Sequence, residues 1–265
     1  MLIKILIKIP ILKKLIPSLG IRLLKLLKKN RGYFKIKNIR MFLDFLDPID
    51  REIILYQEYE SDQVSFLEDK MKENPFSYFL DIGANSGYYS FYFASKFKNI
   101  KIKAFEPNIN PYEKFKKTLK KNFFQNVEIF NFGLSDTNQR TQVRSMIKDG
   151  FVHSNTAILY SGGSFDHNKF EIKEANFKIG DDIFNFKSKM LAIKIDVEGH
   201  EIYTLKGLTN ILKNNHCLLL IEILDPNYDK VDNFLKMIAY KKIFKYKRRS
   251  DYVYTNIKPS KVTKK

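Results

Sequence analysis

The chain has 265 residues, 44% of them hydrophobic with 23 Phe and 15 Tyr, so it can bury a substantial core and is not a disordered chain. Its single cysteine, Cys217, excludes an intrachain disulfide and a cysteine metal site; set in Cys217-Leu218-Leu219-Leu220-Ile221 it reads as core, and a reducing, cytoplasmic compartment is expected. The net charge of +18 belongs to the ends: residues 1–40 hold 12 Lys/Arg and no acid, residues 241–265 hold 10 and one acid, and 41–240 hold 25 basic against 28 acidic residues. A body of that balance does not offer the positive groove that nucleic acid needs, and no nucleic-acid partner is expected.

Three segments are expected: a basic amphipathic and accessory segment over 1–73, a main domain over 74–257, and a basic tail over 258–265. In the first 30 residues lysines interrupt every apolar run, so none is long enough to span a membrane, and no secretory leader is expected. Pro10 and Pro17 break any single long helix. Beyond Pro17, leucines at 19, 23, 26 and 27 lie opposite Arg22, Lys25, Lys28 and Lys29. Such a helix either rests on the inner face of an anionic membrane or packs on the main domain with its lysines solvated. Residues 33–46 read as a strand or hairpin, Asp47-Pro48 as a turn, 61–73 as a helix, and Asn74-Pro75 as the entry to the main domain.

From 77 onward strands and helices alternate, the pattern of a parallel sheet. Strands are expected at 78–82, 100–106, 127–132, 191–196 and 217–223. Helices are expected at 87–97, 111–122, 200–213 and from Asp225-Pro226 to about 239. For the second of these, Asn110 is the expected cap and Pro111 the first residue. Residues 136–180 read as a loop or short strands over the functional face, with His153, Tyr160 and Asp166 as candidate pocket residues. The strands 242–247 and 251–256 read as a hairpin turned at Arg249-Ser250. The fold class is therefore α/β: a mostly parallel, doubly wound sheet with a C-terminal antiparallel hairpin and an N-terminal helical and strand extension.

Two motifs carry chemistry. The first is Asp81-Ile82-Gly83-Ala84-Asn85-Ser86-Gly87, a strand-to-helix turn of the form GxxxG and not the GxGxxG of dinucleotide sites. Glu106 ends the next apolar run, 23 residues after Gly83, at the spacing where an acid accepts ribose hydroxyls. Asp81 would repel a pyrophosphate over this turn but attract the sulfonium and ammonium of S-adenosylmethionine. That cofactor is expected, and a dehydrogenase is disfavoured. The second motif is Lys194-Ile195-Asp196-Val197-Glu198-Gly199-His200-Glu201. Lys194 and Asp196 face one side of a strand, where a central parallel strand is normally apolar, and Glu222 ends the following strand. Lys194 is expected to pair with Asp196 or Glu222. Asp196, Glu198 and Glu201 also invite a magnesium ion; the spacing does not decide it, and no metal is assigned.

Together with Gly133-Leu134-Ser135-Asp136 and Leu219-Leu220-Ile221-Glu222, these motifs resemble the FkbM family of S-adenosylmethionine-dependent methyltransferases, in order over about 77–224. The resemblance implies a Rossmann-like class I methyltransferase fold and O-methylation, often of sugars in glycans, glycolipids or secondary metabolites. It implies that Asp81, Gly83, Asn85 and Gly87 hold the amino-acid part of the cofactor, Glu106 the ribose, and Leu134 with Ser135 the adenine. Asp196, with Glu198 and Lys194, is the expected catalytic group, its basicity raised by burial or by Glu198; Glu201 and Glu222 are candidate substrate contacts. His200 stands where a small residue is usual and is expected to cap the helix it begins. Rival readings are an RNA or protein methyltransferase with basic tails, and a non-catalytic membrane-associated module with a relic cofactor site. The oligomeric state is left open.

Overall fold

A computed structural model describes residues 30–148, 151–152, 158–160, 166, 168–247 and 249–258. The expected helix after Pro17, residue 153 and the basic tail beyond 258 lie outside the described residues.

The chain enters through a ribbon of β1 (Arg31–Ile36) and β2 (Ile39–Asp44), paired antiparallel with Tyr33 opposite Phe42 and Lys35 opposite Arg40. Asp47 is a helix cap as well as a turn residue. Its carboxylate accepts from the Ile49 and Asp50 amides, and Pro48 opens α1 (Pro48–Tyr56) where a missing N–H costs nothing. A left-handed corner with Gln57 at φ 62° and Glu60 at φ 47° then leads into α2 (Ser61–Glu73).

The central sheet contains β3 (Tyr78–Ile82), β4 (Lys101–Phe105), β5 (Val127–Phe130), β11 (Met190–Ile195), β12 (His216–Glu222), β13 (Lys241–Lys245) and β14 (Asp251–Thr255), in the order β13-β14-β12-β11-β3-β4-β5. The five strands β12, β11, β3, β4 and β5 are parallel, while β14 runs antiparallel to both β12 and β13. The later strand of the terminal hairpin is thus the inner one. This is the class I methyltransferase topology, as expected. The chain leaves β3 in one direction through β4 and β5, then returns to the other side of β3 as β11. The carboxyl ends of β3 and β11 therefore form the switch point where an open α/β sheet binds ligands.

Helices cover both faces. α3 (Tyr88–Lys96) and α4 (Ile109–Asn122) lie on one side with α2, where Phe79, Phe91, Phe93, Phe115, Leu67 and Ile53 share one buried cluster. Ile36, Met41, Ile53, Leu67 and Met71 of the accessory segment thus share this core. α6 (Glu201–Lys206), α7 (Thr209–Asn214) and α8 (Tyr228–Met237) lie on the other, around Leu205, Leu212, Leu219, Val231 and Leu235. Cys217 is buried and unoxidised in that second core. α4 starts earlier than expected: Asn108 is the cap, accepting from the Asn110 amide at 3.0 Å, and Pro111 is the third residue.

Between 133 and 178 the described residues form a second small sheet. β7 (Gln139–Lys148) pairs with β10 (Phe170–Lys178) over eight residues, with β6 (Gly133–Leu134), β8 (Phe151–Val152) and β9 (Ile158–Tyr160) beside them. A short α5 (Gly180–Ile183) follows. Among the described residues no helix is long and apolar enough to cross a membrane.

Candidate active site

Gly83 sits at the tip of β3 with φ +81°, and a β-carbon there would stand 1.8 Å from the Asp196 carbonyl oxygen. The amide of Asp196 in turn donates to the Ile82 carbonyl at 3.0 Å. Glycine is required so that the end of β11 can lie against the turn, which locks the two sequence motifs together. Gly87, with φ +88°, caps α3, and a β-carbon there would strike Phe115 and Phe91. It is needed for the fold and does not line the cavity, contrary to its expected role in holding cofactor.

The cavity at the switch point has a volume of about 210 Å³. Asp81, Gly83, Asn85, Glu106, Leu134, Lys194, Asp196, Glu198 and Glu222 all line it. Two further expected contacts stand behind the wall. Ser135 is buried, with its hydroxyl 3.0 Å from His200 Nε2. Glu201 accepts from the Gly199 amide at 2.6 Å and the Asn227 side chain at 3.0 Å, so it braces the loop after β11. His200 is at the start of α6 but its side chain does not cap it: the ring stacks on Tyr203 and reaches Ser135. Burial lowers its pKa to about 4, so it is a neutral imidazole. Asp166 is exposed and paired with Lys169, and is not on the cavity wall.

The wall is rich in acid. Asp81 is buried and accepts from the Ser90 amide at 3.1 Å and hydroxyl at 2.6 Å. Both Glu106 oxygens accept main-chain N–H groups, from Asn85 at 2.9 Å and Asn108 at 2.8 Å. Burial nevertheless pushes the Glu106 carboxyl up to about 7. Asn85 adopts φ 49°, and its Oδ1 is buried without a hydrogen-bond partner. A buried acceptor facing a cavity is a place for a ligand's donor.

A model of the methyltransferase FkbM domain matches residues 81–253. The chain belongs to the FkbM methyltransferase family. Among solved structures it is similar to precorrin-6y C5,15-methyltransferase from Geobacter metallireducens GS-15, with 16% identity, 75% of this chain and 88% of that one covered, and a TM-score of 0.43. An rRNA methylase from Streptococcus thermophilus gives 12%, 73%, 92% and 0.41. TYW2 of M. jannaschii, solved in complex with AdoMet, gives 13%, 85%, 84% and 0.39. No curated protein sequence matches the chain.

S-adenosylmethionine is the methyl donor of this FkbM protein, and the residues present fit it: an unpaired amide oxygen at Asn85 and an acid at the end of each of β3 and β4. Four ionisable groups meet on the β11 and β12 side of the cavity wall. Lys194, buried between register partners Asp81 and Leu220, places its Nζ 2.8 Å from Asp196 Oδ2. Burial alone would lift the Asp196 carboxyl and drop the Lys194 ammonium; their contact reverses both, so Asp196 is held below its ordinary value and Lys194 above. Asp196 is therefore not the raised carboxyl expected from its neighbours. The raised ones are those neighbours. Burial, then Asp196, push Glu198 up to about 7 and Glu222 to about 9. Oxygens of Asp196, Glu198 and Glu222 lie within 4.8 Å of one another, a set that could ligate a divalent cation, although Lys194 already supplies a positive charge there.

Residues outside the expected site set also build the FkbM cavity, three of them from before the matched domain. Ile49, Tyr59 and Glu60 come from the N-terminal segment, Tyr88 and Tyr89 from α3, Val143 and Phe177 from the small sheet. Glu60 accepts from Tyr89 Oη at 2.7 Å and from Arg249 at 3.2 Å. Gln63 donates to Asp251 at 2.7 Å, and Asp251 lies opposite Glu222 in β14. Tyr88 and Tyr89 follow Gly87 directly, so their place on the first turn of α3 was a readable signal. Tyr59 and Glu60 carry none, since nothing local ties them to β3.

Proposed function

We propose that the chain methylates a hydroxyl oxygen, and that the hydroxyl belongs to a sugar of a glycan, glycolipid or secondary metabolite. The observation that carries this reading is Glu198: a carboxylate on the cavity wall whose pKa of about 7 suits it to take a proton near neutral pH. An amine acceptor would gain less from such a base, and the surplus of carboxylates with bound protons offers both donors and acceptors to a polyhydroxyl ligand.

When bound, S-adenosylmethionine supplies an electrophilic methyl carbon on a sulfonium that departs as a neutral thioether. Asp81 and Asn85 would hold its amino-acid end, Glu106 the ribose, and Leu134 the adenine. Glu198 accepts the acceptor's hydroxyl proton as the oxygen–carbon bond forms. Asp196, kept ionised by Lys194, favours the positive charge of the donor and orients the hydroxyl. Glu222, protonated at neutral pH, donates to Asp196 and fixes it. Tyr59, Tyr88 and Tyr89 line the same cavity and supply aromatic surface beside the acids, a mix that suits a sugar. Holding oxygen and carbon in line at roughly 3 Å accounts for most of the expected rate.

The test is transfer of labelled methyl to panels of glycosides, amines, RNA and peptides, with the product bond located by mass analysis. Label on a sugar oxygen supports the reading. Label on nitrogen or on RNA replaces it, and no transfer despite donor binding would favour the non-catalytic module.

A further inference from the structure

The face formed by β1, β2 and α4 is basic, aromatic and away from the cavity. Lys35 and Arg40 face each other across the ribbon, and Lys117, Lys120 and Lys121 stand on the adjoining face of α4; all five are exposed. None forms an ion pair with a described residue, and no Asp or Glu occurs in 31–43 or in 114–127. The ribbon is fixed to the helix: the Phe42 amide donates to Thr118 at 2.8 Å, and the Arg40 amide to Asn122 at 2.9 Å. The cations are thus held as one surface on a body whose central stretch is net acidic.

Two aromatic rings stand among them. Tyr33 is 49% exposed and Phe123 is 80% exposed. Phe123 occupies the left-handed position after α4, φ 54°, which favours glycine or asparagine. A phenylalanine there strains the backbone and gains almost no burial, so the fold gives no reason for it. Lysines around a projecting ring form the surface that sits at the headgroup level of an anionic bilayer, where the ring enters the interface and the charges meet phosphates. Nucleic acid would be served by the charges but gains little from a single ring on a convex helix end.

The sign of the neighbouring sequence agrees. Asn30, at the start of the ribbon, donates to Asp44 at 2.9 Å, and the 29 residues before it hold eight Lys/Arg and no acid.

We propose that this β1–β2–α4 face docks the protein on an anionic lipid bilayer, with Lys35, Arg40, Lys117, Lys120 and Lys121 meeting headgroups and Phe123 entering the interface. The full chain is sedimented with phosphatidylcholine vesicles with and without phosphatidylglycerol. Binding is expected only with the anionic lipid. The quadruple variant K35E/R40E/K117E/K121E, with residues 1–29 intact, is expected to bind at least about tenfold more weakly. Phe123→Ser, which touches no charge, is expected to weaken binding several-fold. Unchanged calorimetric affinity for S-adenosylmethionine checks that both variants are folded. Equal vesicle binding by the wild type and the quadruple variant overturns the proposal. So does absence of vesicle binding together with uptake of single-stranded RNA that the quadruple variant loses, which would assign the face to nucleic acid.

Discussion

Gly83 and Asp196 touch through their main chains, leaving no room for a β-carbon between the first turn of the cofactor site and the strand that carries the ionised acid. Replacing Gly83 by alanine forces a 1.8 Å clash with a carbonyl and a side chain at φ +81°. The expected loss is on the order of 2–4 kcal/mol, since neither strand can retreat without breaking its ladder. Thermal unfolding of Gly83→Ala, with and without S-adenosylmethionine, checks this; a wild-type melting temperature together with wild-type cofactor stabilisation would show that the contact is slack.

Glu198 should set the acidic limb of the pH–rate profile. Its carboxyl, raised to about 7, becomes a base only as the pH climbs through that value, so the rate rises there. Glu198→Gln should lower kcat about 10²–10⁴-fold, flatten the limb and leave donor affinity intact. If instead Asp196→Asn abolishes the limb while Glu198→Gln keeps it, the proton goes to Asp196.

Lys194 should be worth more to stability than Asp196. Lys194→Met leaves buried acids at Asp81 and Asp196 without their cation and Glu60 with Arg249 alone, and should cost about 3–5 kcal/mol. Adding Asp196→Asn should restore part of that loss, because one of the stranded charges is gone. A double-mutant cycle by denaturant unfolding measures the coupling, and simple additivity would mean that the pair is screened by solvent.

Glu222 should make the unliganded protein less stable as the pH rises. Its folded value is raised from 4.5 to about 9, so folding favours the protonated form. That contribution is complete below its ordinary value and is lost as the pH climbs toward about 9. Glu222→Gln, which stays neutral, should gain in melting temperature over wild type at about pH 9 and show no gain at about pH 5. Parallel curves for the two proteins would refute this.

Asn85 should serve the ligand and not the fold. Its Oδ1 has no partner, and its left-handed backbone suits glycine, so Asn85→Gly should leave stability nearly unchanged. Donor affinity should fall up to about tenfold, the loss of one hydrogen bond. Calorimetry reads this directly, and unchanged affinity would take the amide out of the site.

Much of this was legible in order along the chain. Apolar runs alternating with capped helices gave β3, β4, β11 and β12, and the acids at their ends fell at the carboxyl edge, where Asp81, Glu106 and Asp196 line the cavity. Side-chain environment was less legible. Whether Asp196 or Glu198 carries the raised carboxyl depends on where the Lys194 ammonium points, and strand periodicity gives a face but not a partner. Gly87, Ser135 and Glu201 fall in the right motifs yet stand behind the wall, a difference of one layer. Residues 136–180 read as a loop or short strands, and the length of the β7–β10 pairing was not legible, because these strands alternate polar with mixed residues. The cap of α4 shifted from Asn110 to Asn108 because the Asn108 amide also donates to the Glu106 carboxylate, a tie that helix propensity cannot weigh.

The bonds that Glu60 accepts from Tyr89 and Arg249, and that Gln63 donates to Asp251, fasten the 60–63 corner to α3 and to the terminal hairpin beside the cavity. A shortened version beginning at residue 81, as the recognisable domain suggests, would therefore be an unfinished vessel: its floor would be present and one side missing. Swapping the 57–63 corner between relatives, leaving every signature residue in place, is then a route to redirecting acceptor choice.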